Sequence, residues 1–431
     1  MIGVPAGTRS QIRRVRRRGA GVVREGFEVG AARLRRVPLP QTVRDHVATP
    51  LIWESGTTEV PVHQLLLGGQ NGLRGNEYAI ATDDVMWTSR RVSEGPHADL
   101  LRADRSGRLC DQEVLDSDYA TMARRSIAAS GSYFGARDDA GILRVARAFL
   151  EPGEMADRDP AMSAAGSPVL AAPIQGSSCY QVVDGHHRVA RLAVDGESFV
   201  QVRLRRRAVS TRLQDLLDQM SWIGGERELY QPVEAPELEE SWATVRRCSD
   251  RFDLMSTQLA ELGVAGATYL DVASCYGWFL AAMAGAGHDV HGVERDPLGR
   301  TLGGQVYGLD PERVTTGDAV AFLLGQTVRY DVVSCFSLLH HFALGRASVP
   351  ADVLVRLLDQ STGRVLFIDT GQAHEEWFAD SLPEWDTDYV ADFLRKHSTF
   401  DRIVDLGPDQ DAVPPYAGNY ARHLFACIRD V

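Results

Sequence analysis

The chain has 431 residues and a mass of 47.3 kDa, with 44% apolar and 24% charged residues. That composition fits a globular protein of two or three domains with a sizeable core, and it excludes the disordered and fibrous classes. The net charge is −12, yet residues 1–36 hold ten arginines against Glu25 and Glu28, a local +8 that leaves −20 for the rest of the chain.

The first predicted segment, 1–44, is this basic arm. It either meets an anionic partner, such as nucleic acid, a phosphorylated ligand or an acidic protein, or lies as a solvated helix on the chain's own acidic body. The arm lacks the apolar stretch of a secretory signal. No run approaches the roughly 18 apolar residues of a membrane span, so no membrane partner is expected. The six cysteines are dispersed without a CxxC pair, which predicts neither a disulfide framework nor a zinc site and points to the cytoplasm.

Residues 45–220 form an α+β block. Glu59–Leu67 reads as strand, and Tyr119–Ala129 and Ile142–Leu150 have helical periodicity. Residues 153–168 read as a loop. Pro168–Ile174, Tyr180–Val183 and Ser198–Arg205 read as strands. Between the last two lies Asp184-Gly185-His186-His187-Arg188. Gly185 permits a tight turn, a helix starting near His186 offers free amides to an anion, and Arg188 adds a guanidinium fork for a phosphate. The same residues also suit a plain helix cap with locally bonded histidines. Arg203–Arg207 either widens the anion site or solvates an edge strand.

Residues 221–266 read as a linker and lid. A break at Trp222–Glu226 is followed by Tyr230-Gln231-Pro232 and a helix over Glu237–Leu262. Within that helix Arg251 pairs either with a cofactor carboxylate or in a surface ion pair.

Residues 267–431 alternate strand and helix. Strands are expected at Thr268–Val272, Val290–Val293, Arg313–Thr316, Tyr330–Cys335 and Arg364–Ile368, with helices between. Two further helices, Glu375–Ser381 and Tyr389–His397, follow the fifth strand. The last two strands, Phe400–Leu406 and His423–Ile428, have no crossover helix between them. The pattern implies a mostly parallel α/β sheet with an antiparallel end. Ligands of such sheets bind beyond the carboxyl ends of the strands. There the first strand ends in Asp271-Val272-Ala273-Ser274-Cys275-Tyr276-Gly277, and Glu294, 23 residues after Asp271, ends the second. A carboxylate at that tip can accept both hydrogen bonds of a ribose diol. A pyrophosphate needs glycines for close approach of backbone amides. Two of those positions hold Ala273 and Cys275, which argues against a dinucleotide and for a phosphate-free nucleoside cofactor.

The Asp271–Gly277 run resembles motif I of class I S-adenosylmethionine-dependent methyltransferases, D-x-G-x-G-x-G, with only Gly277 keeping its glycine. Glu294 falls at that family's ribose-binding acid. Thr316-Gly317-Asp318-Ala319 resembles its adenine-bordering segment, and Asp331–Phe342, containing Phe336, Ser337 and "LHH", resembles its fourth-strand motif. The resemblance covers residues 228–430. It implies a Rossmann-like seven-stranded sheet with an antiparallel last strand, and S-adenosyl-L-methionine as cofactor. That cofactor would be held by Asp271, Ala273, Ser274, Cys275, Tyr276, Gly277, Glu294, Asp318, Ala319, Phe336 and Ser337, with Tyr230 and Gln231 folding over it. His340 and His341 are the expected bases for a protonated acceptor, and His374 and Glu375 its expected contacts, with no metal. Trp377 and Trp385 either cover a pocket or pack in the core.

The "VVDGHHRVARL…G" stretch resembles the core motif of ParB/sulfiredoxin-like domains over residues 168–207, although His186 replaces sulfiredoxin's cysteine. This implies phosphate or nucleotide handling by Asp184, Gly185, His186, His187 and Arg188. The resulting expectation is a methyltransferase acting by O- or N-methylation on a small anionic or phosphorylated acceptor in specialised metabolism. The N-terminal domain either binds that acceptor or supports a homodimer. A tRNA or other nucleic-acid methyltransferase and a nucleotide-binding regulatory module are the alternatives.

Overall fold

A computed structural model describes residues 52–70, 72–151, 168–220, 227–414, 416–417 and 419–430. The basic arm, most of the 153–168 loop and the Trp222–Glu226 break lie outside the described residues. The chain divides into two compact units, Met1–Arg227 with Glu234–Trp242, and Glu228–Val233 with Ala243–Val431. No helix of the described residues is long and apolar enough to cross a membrane.

In the first unit, β1 (Thr58–Pro61) and β2 (Leu65–Leu66) precede the helices α1 (Gly75–Ala81), α2 (Pro96–Ser106), α3 (Asp111–Asp116), α4 (Asp118–Ser130) and α5 (Asp139–Leu150). Then come β3 (Val169–Pro173), β4 (Tyr180–Asp184), α6 (His186–Val194), β5 (Phe199–Leu204) and α7 (Arg212–Met220). The expected strand Glu59–Leu67 is broken: after Pro61, residues Val62–Gln64 form a 3-10 turn, because proline cannot donate to a ladder. The five strands run in the order β1-β5-β3-β4-β2. β4 turns back antiparallel on β3, and α6 carries the chain over to β5, parallel to β3 on its other side. β5 is therefore an inner strand, and Arg203 does not sit on a sheet edge. Val169, Ala171, Val182, Val189 and Val202 lie in one core with residues of α2, α4 and α5.

In the second unit, β6 (Glu228–Leu229) pairs in parallel with β7 (Ala243–Thr244), which leads into α8 (Ser249–Glu261). The single helix expected over Glu237–Leu262 is thus confined to its second half. The backbone of Ala243 and Thr244 is committed to a ladder, and Cys248 takes a left-handed φ of 67° just before the helix starts. The main sheet follows: β8 (Thr268–Val272), α9 (Trp278–Gly285), β9 (Asp289–Glu294), α10 (Pro297–Tyr307), β10 (Val314–Thr316), α11 (Ala319–Gly325), β11 (Tyr330–Cys335), α12 (Leu339–Ala343), α13 (Ala351–Ser361), β12 (Thr362–Ile368), α14 (Thr387–His397), β13 (Arg402–Pro408) and β14 (His423–Ile428). The helix expected at Glu375–Ser381 is a run of turns.

The seven strands run β10-β9-β8-β11-β12-β14-β13. All are parallel except β14, which lies antiparallel between β12 and β13. Helices cover both faces, so Val332, Val333 and Cys335 of β11 are buried whichever way they point. Caps fix the helix starts: Asp296 accepts the Leu298 N–H at 2.9 Å and Asp386 the Tyr389 N–H at 2.8 Å. Chain order reverses between β8 and β11. A ligand crevice is expected at such a switch point, beyond their carboxyl ends.

Candidate active site

The turn after β8 keeps the backbone of a glycine loop without the glycines. Ala273, Cys275 and Gly277 have φ of 64°, 55° and 89°. Left-handed conformation costs a side-chain-bearing residue roughly 1 kcal/mol or more, so the loop must be held by its surroundings. The N–H groups of Ala273 and Ser274 donate to the Val293 carbonyl at 2.9 and 3.1 Å. The Cys275 N–H donates to Glu294 Oε2 at 2.9 Å. Gln231, only 5% exposed, does the rest. Its Oε1 accepts the N–H groups of Tyr276 and Trp278 at 3.0 and 3.1 Å, and its Nε2 donates to the Ser274 carbonyl at 3.3 Å. Gly299 lets α10 come close, since a Cβ there would stand 2.4 Å from the Cys275 carbonyl oxygen.

Glu294 sits at the tip of β9, 7% exposed. Its Oε1 accepts the Asp296 N–H at 2.9 Å, and the Arg295 N–H adds a third backbone bond, so the two oxygens together keep some lone-pair capacity. Burial pushes its carboxyl above the usual range, against these amides. Asp271, beside it, is buried and accepts the Ser334 hydroxyl at 2.6 Å, which in turn takes the Tyr269 hydroxyl at 2.6 Å. Burial raises the Asp271 carboxyl to about 7. Asp318 is exposed and caps α11 through the Ala321 N–H at 3.0 Å. The neighbouring Gly317 N–H donates to the Glu294 carbonyl at 2.9 Å, which ties the start of α11 to the tip of β9. Phe336 is half-buried, its ring 4.7 Å from that of Phe279.

Beyond β11 and β12 lies a buried charge network. Arg251 is no surface partner: it is 1% exposed and its Nη1 lies 2.9 Å from Asp369 Oδ2. Arg246 pairs with Asp369 at 3.3 Å and with Asp409. Arg422 grips Glu375 with two bonds of 2.7 Å. Arg246 Nη1 and Arg422 Nη1 both donate to Ser337 Oγ, at 3.1 and 2.8 Å, and the Ser337 N–H donates to Asp369 at 2.5 Å. Burial alone would raise the Asp369 carboxyl, but Arg246, Arg251 and Arg422 hold it well below the usual carboxylate range. Three guanidiniums meet three carboxylates, so this network is neutral. The carboxylates of Asp250, Asp409 and Asp411 come within 4.8 Å of one another. Of these, Asp409 is paired with Arg246, and Asp250 accepts the backbone N–H groups of Arg251 and Gln410.

The two candidate bases differ. His340 is buried, and its Nδ1 accepts the Gly371 N–H at 3.0 Å. Its neutral ring therefore has no lone pair to spare. His341 is exposed. Partial burial and then Arg346, Arg422 and Arg295 push its pKa down, which keeps the imidazole neutral and able to take a proton. Glu375 is fully occupied by Arg422, the Gln372 N–H at 2.9 Å and the Trp377 indole N–H at 2.6 Å, so it organises the site from below. His374 Nε2 donates to the Tyr420 carbonyl at 2.5 Å. Trp385 is in the core, whereas Trp377 is 42% exposed. Tyr230 is half-buried, its hydroxyl 3.4 Å from Arg246 Nη1. Sequence reasoning missed Arg246, Asp409, Tyr420 and Arg422. Nothing local distinguishes a buried arginine from a solvated one.

The first-unit motif sorts into an inner and an outer half. Gly185, at φ 104°, opens α6. His186 Nε2 accepts the Gly68 N–H at 3.0 Å, and His187 Nε2 meets the Tyr119 hydroxyl at 2.8 Å. Burial lowers these two histidines to about 4 and about 3. His186 stacks on His97 and His187 meets it edge-on; His97 is itself fully buried and pushed well below its usual value by burial and by both neighbours. Asp184 and Arg188 face outward as an ion pair of 2.9 Å.

No protein-family model and no curated protein matches the chain. Among solved structures, the bifunctional kinase-methyltransferase WbdD is similar at 16% identity, over 50% of this chain and 46% of that one, with a TM-score of 0.38. Magnesium protoporphyrin IX methyltransferase from Synechocystis PCC 6803, solved with bound S-adenosylmethionine, is similar at 19% identity over 42% of this chain and 79% of that one, TM-score 0.31. A third is a putative S-adenosylmethionine-dependent methyltransferase from Streptococcus mutans, at 15% identity over 40% and 47%, TM-score 0.31. The chain spans about half the length of WbdD. Likenesses with TM-scores this low do not decide a function, which rests on the residues of the crevice itself.

Proposed function

We propose that the second unit is an S-adenosyl-L-methionine-dependent methyltransferase acting on a small-molecule acceptor by O- or N-methylation. The observation that carries this reading is the pairing of Glu294 with Gln231. A buried carboxylate stands at the β9 tip with capacity for a ribose diol. The amides at the start of α9, which a pyrophosphate would require, are already taken by Gln231 Oε1. The donor set thus fits a nucleoside without phosphates and disfavours a dinucleotide.

In this reading Glu294 holds the ribose, and the left-handed Ala273–Gly277 turn lies under the cofactor. Asp271, Phe336 and Ser337 border its amino-acid end, and Asp318 and Ala319 border its base. Tyr230 flanks the crevice, while Gln231 shapes the loop instead of covering the cofactor. Bound there, S-adenosylmethionine supplies an activated methyl group, so the protein's task is alignment of the acceptor and removal of its proton. His341 takes that proton, and His340 fixes the Gly371 turn.

For the first unit the proposed role is binding of an anionic or phosphorylated group beside Gly185 and Arg188, whose guanidinium pairs with the exposed Asp184, while the buried His186 and His187 hold the fold and do not contact the ligand. The six cysteines are unpaired, which suits a reducing compartment such as the cytoplasm.

Calorimetric titration with S-adenosylhomocysteine tests the assignment. Glu294→Ala should weaken binding by about 2–3 kcal/mol, the loss of charge-assisted bonds to the diol. Unchanged affinity removes the ribose contact and with it the reading.

A further inference from the structure

We propose that Glu237 is a positioning residue for the cofactor loop: it anchors a strap, Glu234–Trp242, and the anchored strap holds Gln231 against the left-handed turn after β8. The proposal rests on the methyltransferase reading for what that loop binds, and it gives the first unit a part in the site.

The path of the chain sets up the arrangement. After Arg227 the chain leaves the first unit and supplies Glu228–Val233 to the second. It returns to the first as Glu234–Trp242 and goes back to the second at Ala243. The base of this excursion is closed by the ladder of β6 on β7, beside which the Val245 N–H donates to the Leu229 carbonyl at 2.8 Å. Gln231 follows β6 closely and Arg246 follows β7 closely, so the strap lies between two residues that organise the crevice.

The strap is fixed to the first unit by a buried carboxylate. Glu237 is fully buried, and its Oε1 accepts the Ser89 hydroxyl at 2.5 Å and the Thr211 hydroxyl at 2.9 Å. A carboxylate taken out of water needs such donors, and the two hydroxyls, themselves buried, need the acceptor. Oε2 has no hydrogen-bond partner among the described residues, so Oε1 carries the anchor. The Glu237 carbonyl accepts Gln214 Nε2 at 3.4 Å, and Ala235, Leu238 and Trp242 are buried around it in sequence. Gly176, at φ 67°, gives Ser241 room: a Cβ there would stand 2.8 Å from the Ser241 hydroxyl.

Between anchor and loop the chain has little slack. Pro232 and Pro236 fix φ at two of the five residues that separate Gln231 from Glu237, Val233 and Ala235 are buried, and the Pro232 carbonyl accepts the Tyr307 hydroxyl. A displacement of Glu237 is thus passed along the segment rather than absorbed within it. At the far end Gln231 holds the Tyr276 and Trp278 amides, in the turn whose Cys275 amide is held by Glu294.

The test is hydrogen exchange of the full chain, read by mass spectrometry, with S-adenosylhomocysteine titrated alongside. Glu237→Ala should speed exchange at the Tyr276 and Trp278 amides by about tenfold, the scale of one lost buried hydrogen bond, and should weaken S-adenosylhomocysteine binding. Glu237→Gln keeps the oxygen that both hydroxyls use and should return exchange to within about threefold of wild type. Ser89→Ala removes one hydroxyl and leaves the carboxylate. It should act in the same direction by a smaller factor, and it carries the test if Glu237→Ala does not fold. Unchanged exchange at the two amides in every variant that folds overturns the proposal and leaves Glu237 a packing residue of the first unit. Acceleration spread equally over β11 and β12 also overturns it, because that reports general opening of the sheet and not release of the turn. Faster exchange at the two amides, in a protein that binds no S-adenosylhomocysteine even as wild type, upholds the positioning role and locates the failure in the methyltransferase reading.

Discussion

Gln231→Ala is the most informative single perturbation of the loop. The side chain is buried and satisfies three backbone groups at once, two N–H donors and one carbonyl. Each buried amide left without a partner costs about 1–2 kcal/mol, so opening of the turn becomes easier by about 2–4 kcal/mol. Because 1.4 kcal/mol is a factor of ten, hydrogen exchange at the Tyr276 and Trp278 amides should accelerate by about 30- to 1,000-fold. Exchange read by mass spectrometry or NMR resolves this locally. Gln231→Glu is the control. It keeps both accepted bonds and adds a charge that the start of a helix favours, but sets an oxygen against the Ser274 carbonyl. Its protection should fall between wild type and Gln231→Ala. Unchanged exchange at both amides in Gln231→Ala would refute the claim that this side chain holds the left-handed turn in place of the missing glycines. The same variant should bind S-adenosylhomocysteine more weakly, since Cys275 and Glu294 share that turn.

Three further outcomes are expected. His341→Ala should lower turnover by about 100-fold with cofactor affinity unchanged, whereas His340→Ala should instead lower stability by about 1–3 kcal/mol, because it strips the buried Gly371 amide; equal effects on turnover without loss of stability would count against the division of roles. The first unit should be acid-labile: His97, His186 and His187 are held neutral when folded but titrate near 6.5 when unfolded, so the stability they contribute is complete above that pH and is lost as pH falls toward about 4. Three such groups steepen the loss to as much as about 4 kcal/mol per pH unit, and a melting temperature that stays flat between pH 6.5 and 4.5 would contradict their burial. Finally, Arg188→Ala should abolish binding of inorganic pyrophosphate to the chain, measured by calorimetry, and retained binding would move the anion site elsewhere.

The parallel sheet and its antiparallel end were legible because buried strands announce themselves as short Val- and Leu-rich runs spaced by helical periodicity. Thr268–Val272 and Tyr330–Cys335 have the expected bounds. Helices were harder where charge and turn propensity compete. Glu237–Leu262 has helical spacing, yet its first half is spent on turns and a short ladder, and Glu375–Ser381 is a run of turns. At the site, the departures from glycine at Ala273 and Cys275 looked like a weakened motif. The backbone kept the left-handed geometry because remote groups, Gln231 and Glu294, supply what glycine would have made easy. The same distance in sequence hid the buried network: Arg246, Asp369, Asp409 and Arg422 come from four separate segments and meet only in the fold.

The most direct measurement is calorimetric titration of the unmodified chain near pH 7.5 with S-adenosylhomocysteine and, separately, with NAD. Saturable one-to-one binding of the phosphate-free nucleoside and none of the dinucleotide is the expected result. Binding of NAD with no heat from S-adenosylhomocysteine would contradict the assignment of the β8–β9 crevice.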